Sequence, residues 1–332
     1  MSSLGIAGGM PARSSWFAGL VVGLLLPLAA PGVAVSSGTV LSSDPSAVQV
    51  DVLNGVVVWA ASGRIYVRRA GVTRRTQRLL RWDLPEPFEG VRSGQLDLGL
   101  DQRGRVVATF NACADGCPPQ MLDVATMEIR PLRVPVPRGC SVGAAALWRS
   151  RVAFGVRCAR GVTRVEVREL GRSHRIGPRN WPDQNPYWPS VRRVDLRGTI
   201  ALAFVNTGEV TLLDANQSCR RVVDARYNDG QVPSYTRTLS PHLSGNLITW
   251  GTNSFYDDQT GRRFTGSGIG TAVAQTNCRI ARSPWAPAIA YSPINYRHPS
   301  FLADSAELTS AALDGNRAYV TVSGTGLVTG PY

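Results

Sequence analysis

The stretch "DVLNGVVVWA", residues 51–60, decides the fold, because its pattern returns along the whole chain. In this pattern an apolar strand ends at a turn centred on Gly, and a second, nearly continuous apolar strand follows. It recurs as "LDQRGRVVATF" (100–110), "ALWRSRVAFGV" (146–156), "DLRGTIALAF" (195–204), "HLSGNLITWG" (242–251) and "ALDGNRAYVTV" (312–322). A repeat of roughly 40 to 50 residues made of strands alone predicts the blades of a β-propeller.

The spacing of the turns sets the number of blades. The turn residues are Gly55, Gly104, Ser150, Gly198, Gly245 and Gly315, so successive steps are 49, 46, 48, 47 and 70 residues. A full unit carries four short strand signals, for example "AVQVDVL", "VVVWAA", "RIYVRR" and "TQRLLRW" in the first unit. The last unit lacks a fourth strand, which "SSGTVLSS" (36–43) is expected to supply, since closing the ring removes exposed strand edges.

The predicted fold is therefore all-β. It is a six-bladed β-propeller with four-stranded antiparallel blades, and the N-terminal strand closes the ring by pairing with the last blade. The expected blades cover residues 46–83, 94–134, 140–177, 190–226, 238–282, and 305–332 together with 36–43.

The repeats resemble those of TolB-like propellers. Hairpins of the type "YDxATGxxRRL" after strands of the type "GxRVAF" are matched here by "LDVATMEIRPL" (122–132) and "WRSRVAFGV" (148–156). Met127 stands where the usual turn has Gly, and the "SPDG" turn survives only in forms such as "LDG" (313–315). The N-terminal α/β domain of TolB itself is absent. The resemblance implies the propeller fold and an extracytoplasmic binding role, and it does not imply membership of the Tol complex.

The N-terminal segment has the composition of a secretory signal peptide. Arg13 is the only charged residue before Asp44, and "WFAGLVVGLLLPLAAPGVAV" (16–35) is apolar. We expect residues 1–34 to be removed and 36–332 to form a single secreted or cell-envelope domain. The alternative is an uncleaved membrane anchor, since about 20 apolar residues can span a bilayer.

The mature chain is strongly basic. The net charge of +13 falls by one on removal of Arg13, to +12, and all 36 basic residues are Arg. This charge is compatible with attraction to anionic cell-wall polymers. The alternative is a dispersed basic surface with no particular partner. No specific nucleic-acid binding is predicted.

Six Cys behind a signal peptide indicate disulfides. If Trp148 to Ser150 forms a hairpin turn, residues whose numbers sum to 298 face each other, and Cys140 and Cys158 meet that condition. Cys113 and Cys117 flank a short loop and are expected to pair. Cys219 and Cys278 remain as a pairing by elimination.

No catalytic motif is present, and neither a metal nor a cofactor is predicted. His174, His242 and His298 fall in separate units, and there is no "GxSxG" or "HExxH" motif. A hydrolytic propeller would need carboxylates facing the tunnel, and Asp51, Asp97 and Asp195 are candidates because each lies on a predicted inner strand. The alternative is that these Asp residues brace turns or neighbouring blades.

Aromatic loops at one face are the best candidate for a ligand site. Three connections between blades, 177–190, 226–237 and 283–305, are rich in Trp, Tyr and Pro, and the last is an insertion. The alternative is that their aromatic side chains pack between blades. The candidate ligand-binding residues are Trp181, Tyr187, Trp188, Tyr227, Tyr235, Trp285, Tyr296, Arg297 and His298.

The sequence thus favours a secreted or envelope binding module, a monomer, with a protein, peptide or glycan ligand. A carbohydrate-active or other hydrolytic propeller that uses the inner-strand Asp residues is one alternative. A structural envelope protein held to anionic wall polymers is another.

Overall fold

The structure is a computed structural model, and it describes the chain in twelve ranges. The compact unit Val33–Tyr332 contains all of them. Every helix or strand assigned within these ranges is a β-strand, so none of them offers a helix that could cross a membrane. The described ranges are 38–82, 94–113, 117–158, 163–170, 191–198, 200–205, 209–214, 219–224, 234–245, 247–258, 261–273 and 295–332.

The strands follow one another along the chain in groups that match the repeat. In chain order they are β1 (Thr39–Ser42), β2 (Gln49–Leu53), β3 (Val56–Ala61), β4 (Arg64–Arg69), β5 (Val72–Arg75), β6 (Leu96–Leu100), β7 (Val106–Asn111), β8 (Pro119–Asp123), β9 (Ile129–Pro131), β10 (Cys140–Trp148), β11 (Arg151–Cys158), β12 (Thr163–Glu169), β13 (Val191–Arg197), β14 (Ile200–Val205), β15 (Glu209–Asp214), β16 (Cys219–Asp224), β17 (Ser234–Ser244), β18 (Leu247–Asp258), β19 (Gly261–Val273), β20 (Asn295–Arg297), β21 (Leu308–Asp314), β22 (Arg317–Val322) and β23 (Gly326–Pro331).

Four groups form separate four-stranded sheets. Three of these sheets run in chain order, β2 to β5, β13 to β16 and β17 to β20. The fourth has the order β1-β23-β22-β21, in which β1 pairs antiparallel with β23 through Thr39↔Thr329 and Val40↔Val328. The N-terminal strand thus occupies the fourth position of the last sheet.

The second group of strands, β6 to β9, and the third group, β10 to β12, depart from the predicted separate blades. They share one seven-stranded sheet, because the inner strands β6 and β10 are joined by a parallel bridge between Leu100 and Trp148. Gly99 permits this approach, since a Cβ at that position would collide with the carbonyl oxygen of Leu147.

The repeated Gly turns have a conformational cause. The five turn glycines all have positive φ, between 58° and 76°, in the left-handed region that side chains with a Cβ disfavour. The third unit has Ser150 at the equivalent position, and there Arg149 takes the positive φ, 56°. Met127, which replaces the Gly of the TolB-like hairpin, also has a positive φ of 65°. The backbone of that turn therefore keeps the conformation that Gly would favour.

Three strand positions differ from the sequence prediction. The fourth strand of the first unit is β5, "VTRR", and the predicted strand "TQRLLRW" (76–82) lies beyond it. Tyr235, expected in a loop, lies in β17 and pairs with Phe255. The fourth strand of the sheet β17 to β20 is β20, which lies inside the stretch 283–305 expected to be a loop and pairs with β19. Backbone pairing defines the positions of these strands. In β5, for example, every residue is exposed, so the sequence shows no apolar periodicity there.

The apolar core lies between neighbouring groups of strands. Its largest buried side chains include Trp59, Phe110, Phe154, Trp250 and Phe301. One cluster packs the first group against the second, and others pack the third against the fourth, the fifth against the sixth, and the sixth against the first. Each sheet therefore depends on its neighbours for burial.

Two of the disulfides predicted from the sequence, Cys113–Cys117 and Cys140–Cys158, are present. Next to the turn after β10, the numbers of two facing residues sum to 299, as in Trp148↔Arg151. A register shift between Val142 and Ala145 changes the sum to 298, which brings Cys140 opposite Cys158. Cys219 begins β16, and Cys278 lies outside the described residues, so their pairing stays a prediction.

Candidate functional site

A cluster of buried polar side chains lies where the inner strands meet. All its members are at most 4% exposed, although charged residues are rarely this buried unless they are paired. They project from β2, β6, β13 and β17 and from Gln95, which immediately precedes β6, and three of them are the Asp residues singled out from the sequence. The members are Gln49, Asp51, Gln95, Asp97, Arg193, Asp195, Arg197 and His242.

Asp51 and Asp195 link one group of strands to the next. Asp51 Oδ1 accepts the backbone N–H of Val52 at 2.7 Å, and its Oδ2 accepts that of Leu98 on β6 at 2.6 Å. Asp195 repeats the arrangement with Leu196 and, on β17, with Leu243, both at 2.6 Å. These two carboxylates therefore brace neighbouring strands, which is the structural role considered as the alternative to catalysis.

The two Gln residues make similar links. Gln49 donates to the carbonyl of Gly94 at 2.6 Å and accepts from the N–H of Leu96 at 2.9 Å. Gln95 accepts from the N–H of Val194 at 2.9 Å and donates to the carbonyl of Ala145 at 3.0 Å. A repeated sequence motif carries these contacts. It reads "QVD" (49–51), "QLD" (95–97) and "RVD" (193–195), and it contains six of the eight cluster residues, all except Arg197 and His242.

The two Arg residues neutralise part of the buried negative charge. Arg197 Nη1 lies 2.7 Å from Asp195 Oδ1, and its Nη2 lies 3.7 Å from Asp51 Oδ2. The Arg197 guanidinium also lies 5.3 Å from the ring centroid of Trp148, in the third group. Burial alone would raise the pKa of Asp51, but His242 beside it and the two guanidinium groups lower it.

Asp97 differs from the other two carboxylates. Within the described part of the chain neither of its oxygens has a hydrogen-bond partner, and the guanidinium Nη2 of Arg193 is 3.8 Å from Oδ1. Burial, followed by the nearby charge of Asp195, raises the pKa of Asp97 well above its usual value. A charged Asp97 is thus the unfavourable member of the cluster.

His242 lies between opposite charges. Its Nδ1 is 2.6 Å from Arg193 Nη2 and 3.0 Å from Asp51 Oδ1, while its Nε2 has no partner among the described residues. Burial, and then the charge of Arg193, lowers the pKa of His242, so the ring is neutral at neutral pH.

A separate, accessible cleft of about 830 Å³ lies at the edge of the first unit. This is in the range of ligand pockets, about 300–1,000 Å³. Val48, Ala60 and Leu80 give it an apolar wall, and the half-buried Trp82 adds an aromatic ring. Ser46 and Ser62 hydrogen-bond the carboxylate of Asp44, which fixes one rim. The full lining is Ser46, Val48, Ala60, Ala61, Ser62, Gly63, Arg78, Leu79, Leu80, Arg81 and Trp82.

Backbone hydrogen bonds hold the segment 78–82 in place along this cleft. The N–H groups of Leu79 and Leu80 both donate to the carbonyl of Gly63 at 2.9 Å, and that of Arg81 donates to Ala112 at 2.7 Å. The indole N–H of Trp82 donates to the carbonyl of Asn111 at 2.8 Å. Trp82 is thus oriented before any ligand binds, although the sequence placed this segment in a strand and did not single it out.

The cleft is part of a strongly basic region. Between Asp51 and Asp83 the chain contains seven Arg and no acidic residue. Arg78 and Arg81 at the cleft are exposed, as are Arg69, Arg74 and Arg75 on or beside β4 and β5. None of the seven forms an ion pair with a described residue. This segment is therefore strongly basic, in a chain whose Arg residues are spread through every unit.

Most of the aromatic candidates from the sequence fall outside the described residues. Tyr235 and Tyr296 lie in β17 and β20. Arg297 is exposed with its guanidinium 5.6 Å from the ring of Tyr332, and His298 is near the carbonyl oxygens of Ser267 and Leu302. The candidates that lie outside are Trp181, Tyr187, Trp188, Tyr227 and Trp285.

No known family and no curated protein matches the sequence. Among solved structures, the mitotic checkpoint complex matches with a TM-score of 0.47 and 14% identity, over 97% of this chain and 99% of that one. BamB from Moraxella catarrhalis matches with a TM-score of 0.39 and 12% identity, over 90% of this chain and 100% of that one. A catalytically inactive virginiamycin B lyase from Staphylococcus aureus matches with a TM-score of 0.43 and 10% identity, over 88% of this chain and 97% of that one. These are propeller-like proteins.

Proposed function

We propose that this protein is a secreted or cell-envelope six-bladed β-propeller that acts as a binding module. Its ligand face carries the turns between second and third strands together with the connections between blades. The apolar N-terminal segment and the two disulfides support export. The repeat of strand groups and the β1 to β23 pairing support a closed ring.

The cleft beside Trp82 is the observation that carries the binding function. It lies where the turn after β3 meets the segment following β5, so it belongs to the proposed ligand face. An apolar wall, an oriented indole ring and two exposed guanidinium groups suit a ligand with both a flat or apolar part and negative charge. An acidic peptide, a protein surface or an acidic glycan has these properties.

The seven Arg residues between Asp51 and Asp83 also favour the second candidate, attachment to anionic wall polymers. Seven Arg without an acid form a region that attracts any polyanion, with a strength that falls as salt rises. Binding to isolated cell wall that is unchanged by salt would remove this candidate.

The hydrolytic alternative receives less support. Asp51 and Asp195 use their oxygens to accept backbone N–H groups, and the side chains of all three candidate Asp residues are at most 2% exposed. A polymeric substrate does not reach carboxylates buried in this way.

Replacing Trp82 with Ala is expected to weaken ligand binding by about five- to thirty-fold, since a central aromatic anchor contributes roughly 1–2 kcal/mol. Glycan and peptide arrays with the wild-type protein identify the ligand, and titration of the best hit measures the loss. Trp188→Ala and Trp285→Ala, on the aromatic loops, are tested in parallel.

Arg130→Ala serves as the control, because Arg130 is exposed and paired with Glu128 on another unit. The proposal predicts wild-type affinity for this variant. Equal affinity of the Trp82→Ala and wild-type proteins for every hit would contradict the assignment of the cleft. If only Trp188→Ala or Trp285→Ala weakens binding, the ligand binds at the aromatic loops of this face and not at the cleft.

A further inference from the structure

The outer strand of the first sheet, β5, leaves one edge of its backbone unpaired among the described strands. The sheet order is β2-β3-β4-β5, and β5 pairs with β4 alone, without a bulge. All four of its residues, Val72–Arg75, are exposed. An edge of this kind presents N–H and C=O groups that a further strand can bind.

The register shows which backbone groups of β5 point outward. The N–H of Thr76 donates to the carbonyl of Ile65 at 2.9 Å. The next facing pair along the strands is Tyr66↔Arg75. Because hydrogen-bonded and non-hydrogen-bonded pairs alternate in an antiparallel ladder, Arg75 and Thr73 direct their N–H and C=O groups away from β4. These groups form no hydrogen bond with a residue that the structure describes.

The face of the sheet that Thr73 and Arg75 share is positively charged at this edge. Arg68 lies opposite Thr73 and therefore on the same face, and its Nη1 is 3.4 Å from Thr73 Oγ1, which brings the charge to the edge. Neither Arg68 nor Arg75 forms an ion pair with a described residue. The opposite face presents Val72, which is 64% exposed. A strand with an acidic side chain at every second residue and apolar ones between them complements both faces.

The outer strand of the second group, β9, shows how an edge can be protected against such pairing. It is also exposed at every residue, but it ends at Pro131. The N–H of Leu132 donates to the carbonyl of Pro119 at 3.0 Å, so by the same alternation the nitrogen of Pro131 points outward and offers no donor. Arg130 of β9 is neutralised by Glu128. The strand β5 has neither protection, and its Arg residues repel a second copy of the same edge.

We propose that β5 binds an extended acidic segment of a partner protein, which adds to the sheet as a further strand antiparallel to β5. Backbone hydrogen bonds to Thr73 and Arg75 provide affinity, and carboxylates that meet Arg68 and Arg75 provide specificity. The described residues that line the cleft include none from β5, so this surface is separate from the proposed ligand site and goes beyond that function.

The probe is a peptide of seven residues with alternating Glu and Val, labelled with fluorescein at one end and amidated at the other. Fluorescence polarisation measures its Kd. In an antiparallel addition the Glu residues face Thr73 and Arg75, so the Glu N–H groups donate to β5 and the Val N–H groups point away. Methylating the Glu nitrogens is expected to weaken binding by at least about ten-fold, since several hydrogen bonds are lost, and methylating the Val nitrogens by less than about two-fold.

Two variants test the protein side of this interface. Arg75→Glu is expected to weaken binding by about three- to ten-fold, because one attraction becomes a repulsion. Thr73→Pro removes an outward N–H and no bond to β4, as Pro131 does on β9, and is expected to weaken binding by about two- to ten-fold.

Arg130→Glu is the matched control, because it makes the same change of charge on the exposed strand β9, and its Kd is expected to stay within about two-fold of the wild type. Near-ultraviolet circular dichroism checks that each variant folds. Wild-type protein that does not bind the probe would overturn the proposal. Equal weakening by the two methylation series, or by Arg75→Glu and Arg130→Glu, would overturn it as well and would leave only general attraction to negative charge.

Discussion

Asp195→Ala is expected to destabilise the protein by about 3–5 kcal/mol, the cost of breaking a buried ion pair by removing one partner. The substitution removes the acceptor of the Leu243 N–H on β17 and the charge partner of Arg197. Both groups then stay buried without compensation, and the link between the fourth and fifth groups of strands is lost. Urea denaturation measures the effect as a shift of the midpoint at unchanged slope.

Asp195→Asn separates the two contributions. The amide oxygen can still accept a backbone N–H, but the negative charge facing Arg197 is absent, so a loss smaller than that of Asp195→Ala is expected. Glu128→Ala, at an exposed ion pair with Arg130, is the surface control and is expected to leave the midpoint unchanged. A midpoint for Asp195→Ala equal to that of the control would show that this carboxylate does not link the strands.

Removing the Cys140–Cys158 disulfide by a double change to Ser is expected to cost about 3 kcal/mol, because the loop it closes spans 18 residues. Removing Cys113–Cys117 in the same way is expected to cost about 2 kcal/mol, since that loop spans only 4 residues. A disulfide lowers the entropy of the unfolded chain, and a longer loop lowers it more.

Each double variant is compared with the oxidised wild type in the same denaturant series. The order of the two losses is the informative result. If the short loop costs more than the long one, native-state contacts of the Cys113 region, and not unfolded-chain entropy, would determine the stability.

Local sequence patterns predicted the strands well where turn chemistry determines them. The recurring Gly residues have positive φ, so the repeat has a physical basis at each turn. The strands of the fourth unit, β13 to β16, lie where their apolar patterns indicated. Cys140 and Cys158 face each other as expected, but a register shift that the sequence did not reveal takes part in the alignment.

The features that depend on distant residues were missed. The segment 76–82 looks like a strand because it carries Leu79 and Leu80, yet their N–H groups bind Gly63 and the segment lines the cleft instead. The three inner-strand Asp residues were recognised. Their partners Arg193, Arg197 and His242 were not recognised, because the contacts that join these residues to Asp51 and Asp97 in other repeats form only in the fold.

The most direct test of the central claim, that the ligand binds beside Trp82, is hydrogen–deuterium exchange of the protein with and without its array-identified ligand. Bound ligand is expected to slow exchange in segments 46–48, 60–63 and 78–82, which line the cleft, since binding suppresses local opening. The turns at Gly55 and Gly104 lie at the opposite ends of their strands and are expected to exchange unchanged. Protection confined to those turns, with none in the cleft segments, would contradict the assignment.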